Sequence, residues 1–266
     1  MSRLSSTITL FIIALSFSCR TPVLETPEAP VLIKGYLFGG EPIRDFYVER
    51  IAISREFESE KNIPLENGQI ILMHDEEEIL LEPDPNRPGY FYNNDHIVEP
   101  NSTYSLLATF EETSVTAKCF VPDTLNIVED NFEKFSQVGG ESDGSLPLMS
   151  FSWEELIGYE YLIDLKPEEE ELTLLTFSDE IGKFAEFFSL PTSATSAQIF
   201  DVDFMYSGRH TLTIYSISQE YSDLLRYIPT SFDRSVYRAP DNIQGAYGVF
   251  AGLTGKTYEI FVEEAE

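Results

Sequence analysis

The chain has 266 residues, 42% of them hydrophobic and 13% aromatic, and carries a formal net charge of −29. So acidic a surface repels nucleic acid and anionic lipid headgroups, and without any basic cluster along the chain nucleic-acid binding is excluded. Only two cysteines, Cys19 and Cys119, exclude a disulfide-stapled scaffold, and the apolar share excludes a disordered one, so cohesion has to come from buried Phe, Tyr and aliphatic side chains.

Met1 to Cys19 reads as an export signal: Arg3 is the positive start, Ile8 to Phe17 the apolar run, and Ser16, Phe17 and Ser18 lead into Cys19. The run is too short to span a bilayer. A cysteine straight after a small residue at the end of such a run is the pattern of a bacterial lipoprotein signal, cleaved so that Cys19 becomes the lipid-bearing N-terminus. The aliphatic residue of that pattern stands at Leu15, one place early. An ordinary cleaved signal followed by a stray cysteine is the alternative. Lipid on Cys19 leaves Cys119 without a mate.

Residues 20–30 hold three prolines and two glutamates and are expected to be an extended, solvated tether. From Val31 the pattern changes to strands separated by turns. Val31 to Phe38, Phe46 to Arg55, Gln69 to Met73 and Ile79 to Glu82 are the first candidates. The acidic run His74 to Glu78 is expected at a hairpin tip, because consecutive like charges seek water. Asp84 and Asn86 lie in a turn-rich stretch that lacks the ligand spacing of a calcium loop. Tyr104, Leu106, Ala108 and Phe110 alternate along one strand, and Val115, Ala117, Cys119 and Val121 along the next, which turns Cys119 inward as a buried thiol.

Pro122 to Asn126 reads as a domain hinge, and Asp123-Thr124-Leu125 is similar to short sites at which some Bacteroidota attach O-glycans. Asn131 to Pro147 is expected to be an exposed loop. Met149, Phe151 and Trp153 alternate, as do Tyr159, Tyr161, Ile163 and Leu165, making Trp153 a core anchor. Glu168 to Glu171 is a second charged tip. Phe200, Val202, Phe204 and Tyr206 predict a strand with Asp201 and Asp203 on its wet face, and Arg209 to Ser216 another. Ser218 to Ile228 is the one predicted helix, with Ser218 as cap and Pro229 as stop. Gly245 and Gly248 imply a bulge or close backbone approach before a last strand over Lys256 to Val262.

The fold class expected is therefore mainly β: a sandwich over 31–122, a second over 123–266, and one helix at 218–228. The signal, Val31 to Phe38, Gly89-Tyr90, Glu99 to Leu106, Val121-Pro122, the Trp153 strand, the helix and Asn242 to Phe250 together resemble the Bacteroidota lipoproteins grouped as domain of unknown function 4249 (DUF4249). Nearly the whole mature chain is covered. Ala246 stands where that family usually has a second glycine. The first half also looks like an immunoglobulin-like or prealbumin-like sandwich and the second is similar to a fibronectin type III domain. The resemblance implies an outer-membrane location and association with TonB-dependent receptors, but no established reaction.

Three functions follow. The first is a non-enzymatic accessory lipoprotein that binds a membrane receptor or its ligand, with no cofactor or metal. The second is a carbohydrate- or peptide-binding module using aromatics outside strict alternation, Tyr92, Tyr237 and Tyr247. The third is a hydrolase built on two carboxylates, since His74, His96 and His210 are the only imidazoles and no Gly-x-Ser-x-Gly elbow or His-Glu-x-x-His helix occurs.

Overall fold

A computed structural model describes residues 30–51, 63–111, 113–130, 135–138, 147–168, 173–175, 187–200, 203–226 and 242–264. The first half holds β1 (Val31–Phe38), β2 (Pro42–Arg50), β3 (Ile63–Pro64), β4 (Gln69–His74), β5 (Glu77–Pro83), β6 (Tyr90–Ile97), β7 (Ser102–Phe110) and β8 (Thr113–Val121). The second half holds β9 (Ile127–Asp130), β10 (Phe135–Val138), β11 (Met149–Trp153), β12 (Glu160–Pro167), β13 (Thr173–Leu174), β14 (Phe187–Phe188), β15 (Ser196–Ile199) and β16 (Tyr206–Ile217). Helix α1 (Gln219–Arg226), β17 (Ile243–Gln244) and β18 (Tyr247–Glu264) follow. The fold is mainly β, with two sandwich cores and, among the described residues, one helix.

In the first sandwich β18, β1, β2 and β6 form one sheet and β5, β4, β7, β8 and β17 the other, joined where β6 meets β5. Period-two alternation sends Val31, Ile33 and Leu37 of β1 into the space between them, where they meet Phe46, Phe91, Tyr104, Phe110 and Phe250. The predicted alternations of β7 and β8 both hold, and Cys119 is fully buried, its thiol pushed well up by loss of solvent. Gly35 is required by close packing: a Cβ there would lie 2.4 Å from the Phe46 ring.

In the second sandwich β12, β16 and the C-terminal part of β18 face the three-stranded sheet β15–β11–β9. Trp153 is buried edge-on to Tyr161, their centroids 5.2 Å apart, and serves as the anchor its alternation implied.

Strand β18 belongs to both sandwiches. Its first seven residues run parallel to β1, from Leu32 opposite Tyr247 to Phe38 opposite Leu253. From Leu253 to Val262 it pairs antiparallel with β16, and from Phe261 parallel with β10. Gly248 makes the first half possible. Its φ is +115° and a Cβ would lie 1.8 Å from the Ile33 carbonyl oxygen, which confirms the close backbone approach expected there. Gly245, at φ +86°, similarly lies against the Ser114 carbonyl.

Because Ile243 and Phe250 complete the first core, a cut between 122 and 123 does not separate the two cores. A third, smaller core welds the junction: Leu162, Ile217 and Leu253 on the outer face of the shared sheet, covered by Tyr36, Phe38, Tyr215 and by Tyr221 and Leu225 of α1. Glu160 at the start of β12 holds the helix through the Ser222 hydroxyl and the Arg226 guanidinium.

Four further expectations are corrected. The segment read as a hinge is pinned, since the Pro122 carbonyl accepts from the Thr254 hydroxyl at 2.7 Å, the Asp123 carbonyl from that of Ser216 at 3.2 Å, and Leu125 is buried. Thr124 beside it is exposed. The stretch 131–147, read as a loop, contains β10, which gains its partner from the chain's far end. Phe200 to Tyr206 is not a continuous strand: Phe204 is buried, but Asp203 accepts the Phe200 N–H in a turn between β15 and β16. Ser218 does precede the helix, yet its hydroxyl accepts from Gly252 N–H at 3.3 Å, so it ties α1 to β18. Cys19, the tether up to residue 29, Glu169 to Glu171, Asp201, Ile228 and Tyr237 lie outside the described residues.

Candidate functional site

The face of β6, β2, β1 and β18 that points away from the first core carries tyrosines and cations where a solvated sheet usually carries short polar side chains. Lys34 of β1 stands opposite Tyr47 of β2, and Tyr47 opposite Tyr90 of β6. The two rings lie 4.8 Å apart between centroids; the Lys34 ammonium sits 5.6 Å from the Tyr47 ring and the Arg87 guanidinium 4.6 Å from the Tyr90 ring. Lys34, Tyr47, Tyr90 and Arg87 thus form a ladder across three strands, each ring facing a cation.

Carboxylates lock both ends of the rung system. Asp84 accepts from Arg87 Nε at 2.7 Å and from the Asn86 N–H at 2.9 Å, and Asp45 also accepts from Arg87. The Asn86 and Arg87 hydrogen bonds hold the Asp84 carboxyl below its usual range. Paired with a cation in this way, Asp84 has no part in the calcium loop considered for it. The Tyr47 hydroxyl donates to the buried Glu49 carboxylate at 2.9 Å; burial, then that hydrogen bond, pushes it up to about 12.

Two residues along β1, Tyr36 continues the aromatic band toward the junction, edge-on to Tyr221 at 5.5 Å, and Phe38 meets Tyr215 at 6.2 Å. Burial raises the hydroxyl pKa of Tyr36, Tyr215 and Tyr221, so they stay neutral donors at physiological pH.

Of the residues singled out in the sequence, Tyr92 is half-buried on the same face as Tyr90, and Tyr247 is 57% exposed opposite Leu32. They stand on β6 and β18, three strand spacings or roughly 14 Å apart, so one small ligand does not bridge them. The ladder residues were missed, although the Tyr-Phe-Tyr alternation of 90–92 around the buried Phe91 signals an aromatic outer face.

The imidazoles do not assemble into a catalytic arrangement. His74 lies under the Asp75-Glu76 hairpin tip that the acidic run predicted, stacked on Tyr104 at 4.6 Å with Nε2 3.4 Å from Glu99. The Glu99 N–H donates to the Tyr104 hydroxyl at 2.9 Å, and the same hydroxyl is hydrogen-bonded to His96 Nε2 at 3.1 Å. His210 is buried in the other sandwich, edge-on to Phe204. The two buried carboxylates among the described residues, Glu49 and Asp164, also belong to different sandwiches, bound to Tyr47 and Lys166 respectively.

His96 provides a pH test of this end of the sandwich. Burial lowers its pKa from 6.5, opposed mainly by the pull of Glu77, with smaller opposing effects from His74, which lowers it, and Glu99, which raises it. Between its folded pKa and 6.5 the unfolded chain binds more protons, so the stabilisation is complete above 6.5 and is lost as pH falls through that window. Thermal melts from about pH 7.5 down to about pH 5 should show a shallower acid slope in His96→Gln than in the unaltered protein. Parallel slopes would refute the assignment.

No family model matches the chain, and no curated protein does. Among solved structures it is similar to the FN1–FN3 domains of chicken CNTN1, at 12% identity and a TM-score of 0.26, over 88% of this chain and 67% of that one. It is also similar to the structure of Dpr11 IG1 bound to DIP-gamma IG+IG2, at 7% identity and a TM-score of 0.22, over 88% of this chain and 96% of that one.

Proposed function

We propose that this protein is a non-enzymatic accessory lipoprotein of the DUF4249 kind, held at the outer membrane by lipid on Cys19, that docks a membrane receptor, with a TonB-dependent receptor as the candidate. The observation that carries the reading is the outer face of the shared sheet. Its tyrosines are positioned by Lys34, Arg87 and the buried Glu49 carboxylate, and the third core makes the two sandwiches one body, so that face reaches a partner without an ordering cost at a hinge. Tyrosine and arginine fixed in this way supply large contact area with little rotamer entropy left to lose.

Immunoprecipitation of the protein at native expression from detergent-solubilised outer membrane tests it. The expected result is co-recovery of a receptor, reduced at least tenfold by Tyr47→Ala with Arg87→Ala. Recovery of the protein alone, or labelling with a radioactive fatty acid that is unchanged by Cys19→Ala, would overturn the reading. A carbohydrate- or peptide-binding role is the second reading, favoured by the exposure of Tyr247 beside Leu32. In that case glycan or peptide binding responds to Tyr247→Ala while receptor recovery does not.

A further inference from the structure

The opposite outer face of the first sandwich, on β5, β4 and β7, breaks alternation at one place. Gln69, Thr109 and Ser105 obey it, but Ile71 is paired directly with Leu80 on one side and with Leu107 on the other. These three aliphatic side chains form a row about 10 Å wide across three strands. Leu80 is 49% and Leu107 43% exposed, and Met73 borders Ile71 along β4. Cross-strand aliphatic neighbours left in water forgo the burial that drives the rest of the fold.

On the β5 side the border of the row is acidic, whereas on the β8 side Thr116 and Lys118 flank it. Glu78 and Glu82 stand on either side of Leu80 on β5, and the Asp75-Glu76 tip extends that acidic edge. We infer that the row docks a partner protein presenting aliphatic side chains bordered by lysine or arginine on the β5 side. A second copy of this chain does not meet the requirement: each copy carries −29, and mutual approach brings like fields together. An anionic membrane surface is repelled for the same reason. The contact deepens the docking role proposed above, on which it rests, by assigning a surface separate from the tyrosine ladder and a partner chemistry.

The test uses the full chain in cells, with a benzophenone amino acid replacing Thr109, next to Leu107 on the same face. The expected product is a crosslink whose mapped partner segment holds aliphatic residues within a few positions of Lys or Arg. Leu80→Ser with Leu107→Ser should lower its yield at least tenfold while the purified protein keeps a cooperative melting transition. Glu78→Gln with Glu82→Gln, on a face where folding is not at stake, should lower yield about threefold and flatten its salt dependence. A crosslink to a second copy, no crosslink, a partner segment without basic residues, or yields unchanged in both variants overturns the inference. Loss of fatty-acid labelling with the crosslink retained would instead count against the anchor alone.

Discussion

Deleting residues 242–266 is expected to unfold the first sandwich, although β1 to β8 all lie before residue 122. The deletion removes Ile243 and Phe250 from the first core and strips β1 of its parallel neighbour along its whole useful length. Phe46, whose ring stands 6.3 Å from that of Phe250, would then face water. Losing two buried side chains of this size costs roughly 5 to 10 kcal/mol, comparable with the total stability of about 5 to 15 kcal/mol of a typical domain. The second core loses Ile260 and Val262 as well, and β16 loses a ten-residue partner. Circular dichroism should show no cooperative thermal transition, and hydrogen exchange should show no protection of β4 and β7 amides. A peptide spanning 242–264 added in trans should restore part of that protection. A truncated chain that keeps β4 and β7 protected would show the first sandwich to be independent and refute the shared strand.

Gly248→Ala is expected to destabilise the chain severely. The φ of +115° is a conformation L-residues rarely adopt, and the added methyl would lie 1.8 Å from the Ile33 carbonyl oxygen, a backbone atom that cannot swing aside. Backbone strain of about 1 to 3 kcal/mol is compounded by forced separation of β18 from β1, and a total near 3 to 5 kcal/mol is the expected destabilisation. Chemical denaturation should move the midpoint sharply with little change in slope. Gly40→Ala is the matched comparison: its φ of +86° is also left-handed, but no heavy atom lies within 4 Å of the added Cβ. Similar losses from the two variants would show that conformation alone, and not the Ile33 contact, sets the cost.

Strands declared themselves wherever one side faced a core and the other faced water. Tyr104 to Phe110, Val115 to Val121 and Met149 to Trp153 were readable because period-two alternation is a local property. The acidic tip at Asp75-Glu76 was equally local, since two adjacent carboxylates solvate most easily in a turn. Where a residue's role depended on a distant partner, the reading failed. Pro122 to Asn126 has the composition of a hinge, and nothing within it announces that Thr254 and Ser216, over ninety residues away, donate to its carbonyls. Ser218 has the composition of a cap, and its hydroxyl was claimed by Gly252. Tyr92 and Tyr247 were picked for standing apart from the pattern, while the ladder of Tyr47 and Tyr90 depended on the register of β2 against β6, which a single strand does not encode.

Composition and residue pattern alone establish an acidic, mainly β protein without stapling disulfides, with Cys119 and Trp153 inside and close backbone contacts at Gly245 and Gly248. Those properties follow from charge, side-chain period and the missing Cβ, each legible over a few residues. Long-range packing is what makes β18 common to two sandwiches, fixes them as one body through a third core, and sets which tyrosines share a face. Such pairings are set by backbone hydrogen bonds between segments that in β1 and β18 lie more than two hundred residues apart, and a backbone donor or acceptor carries no mark of its partner in the side chain above it.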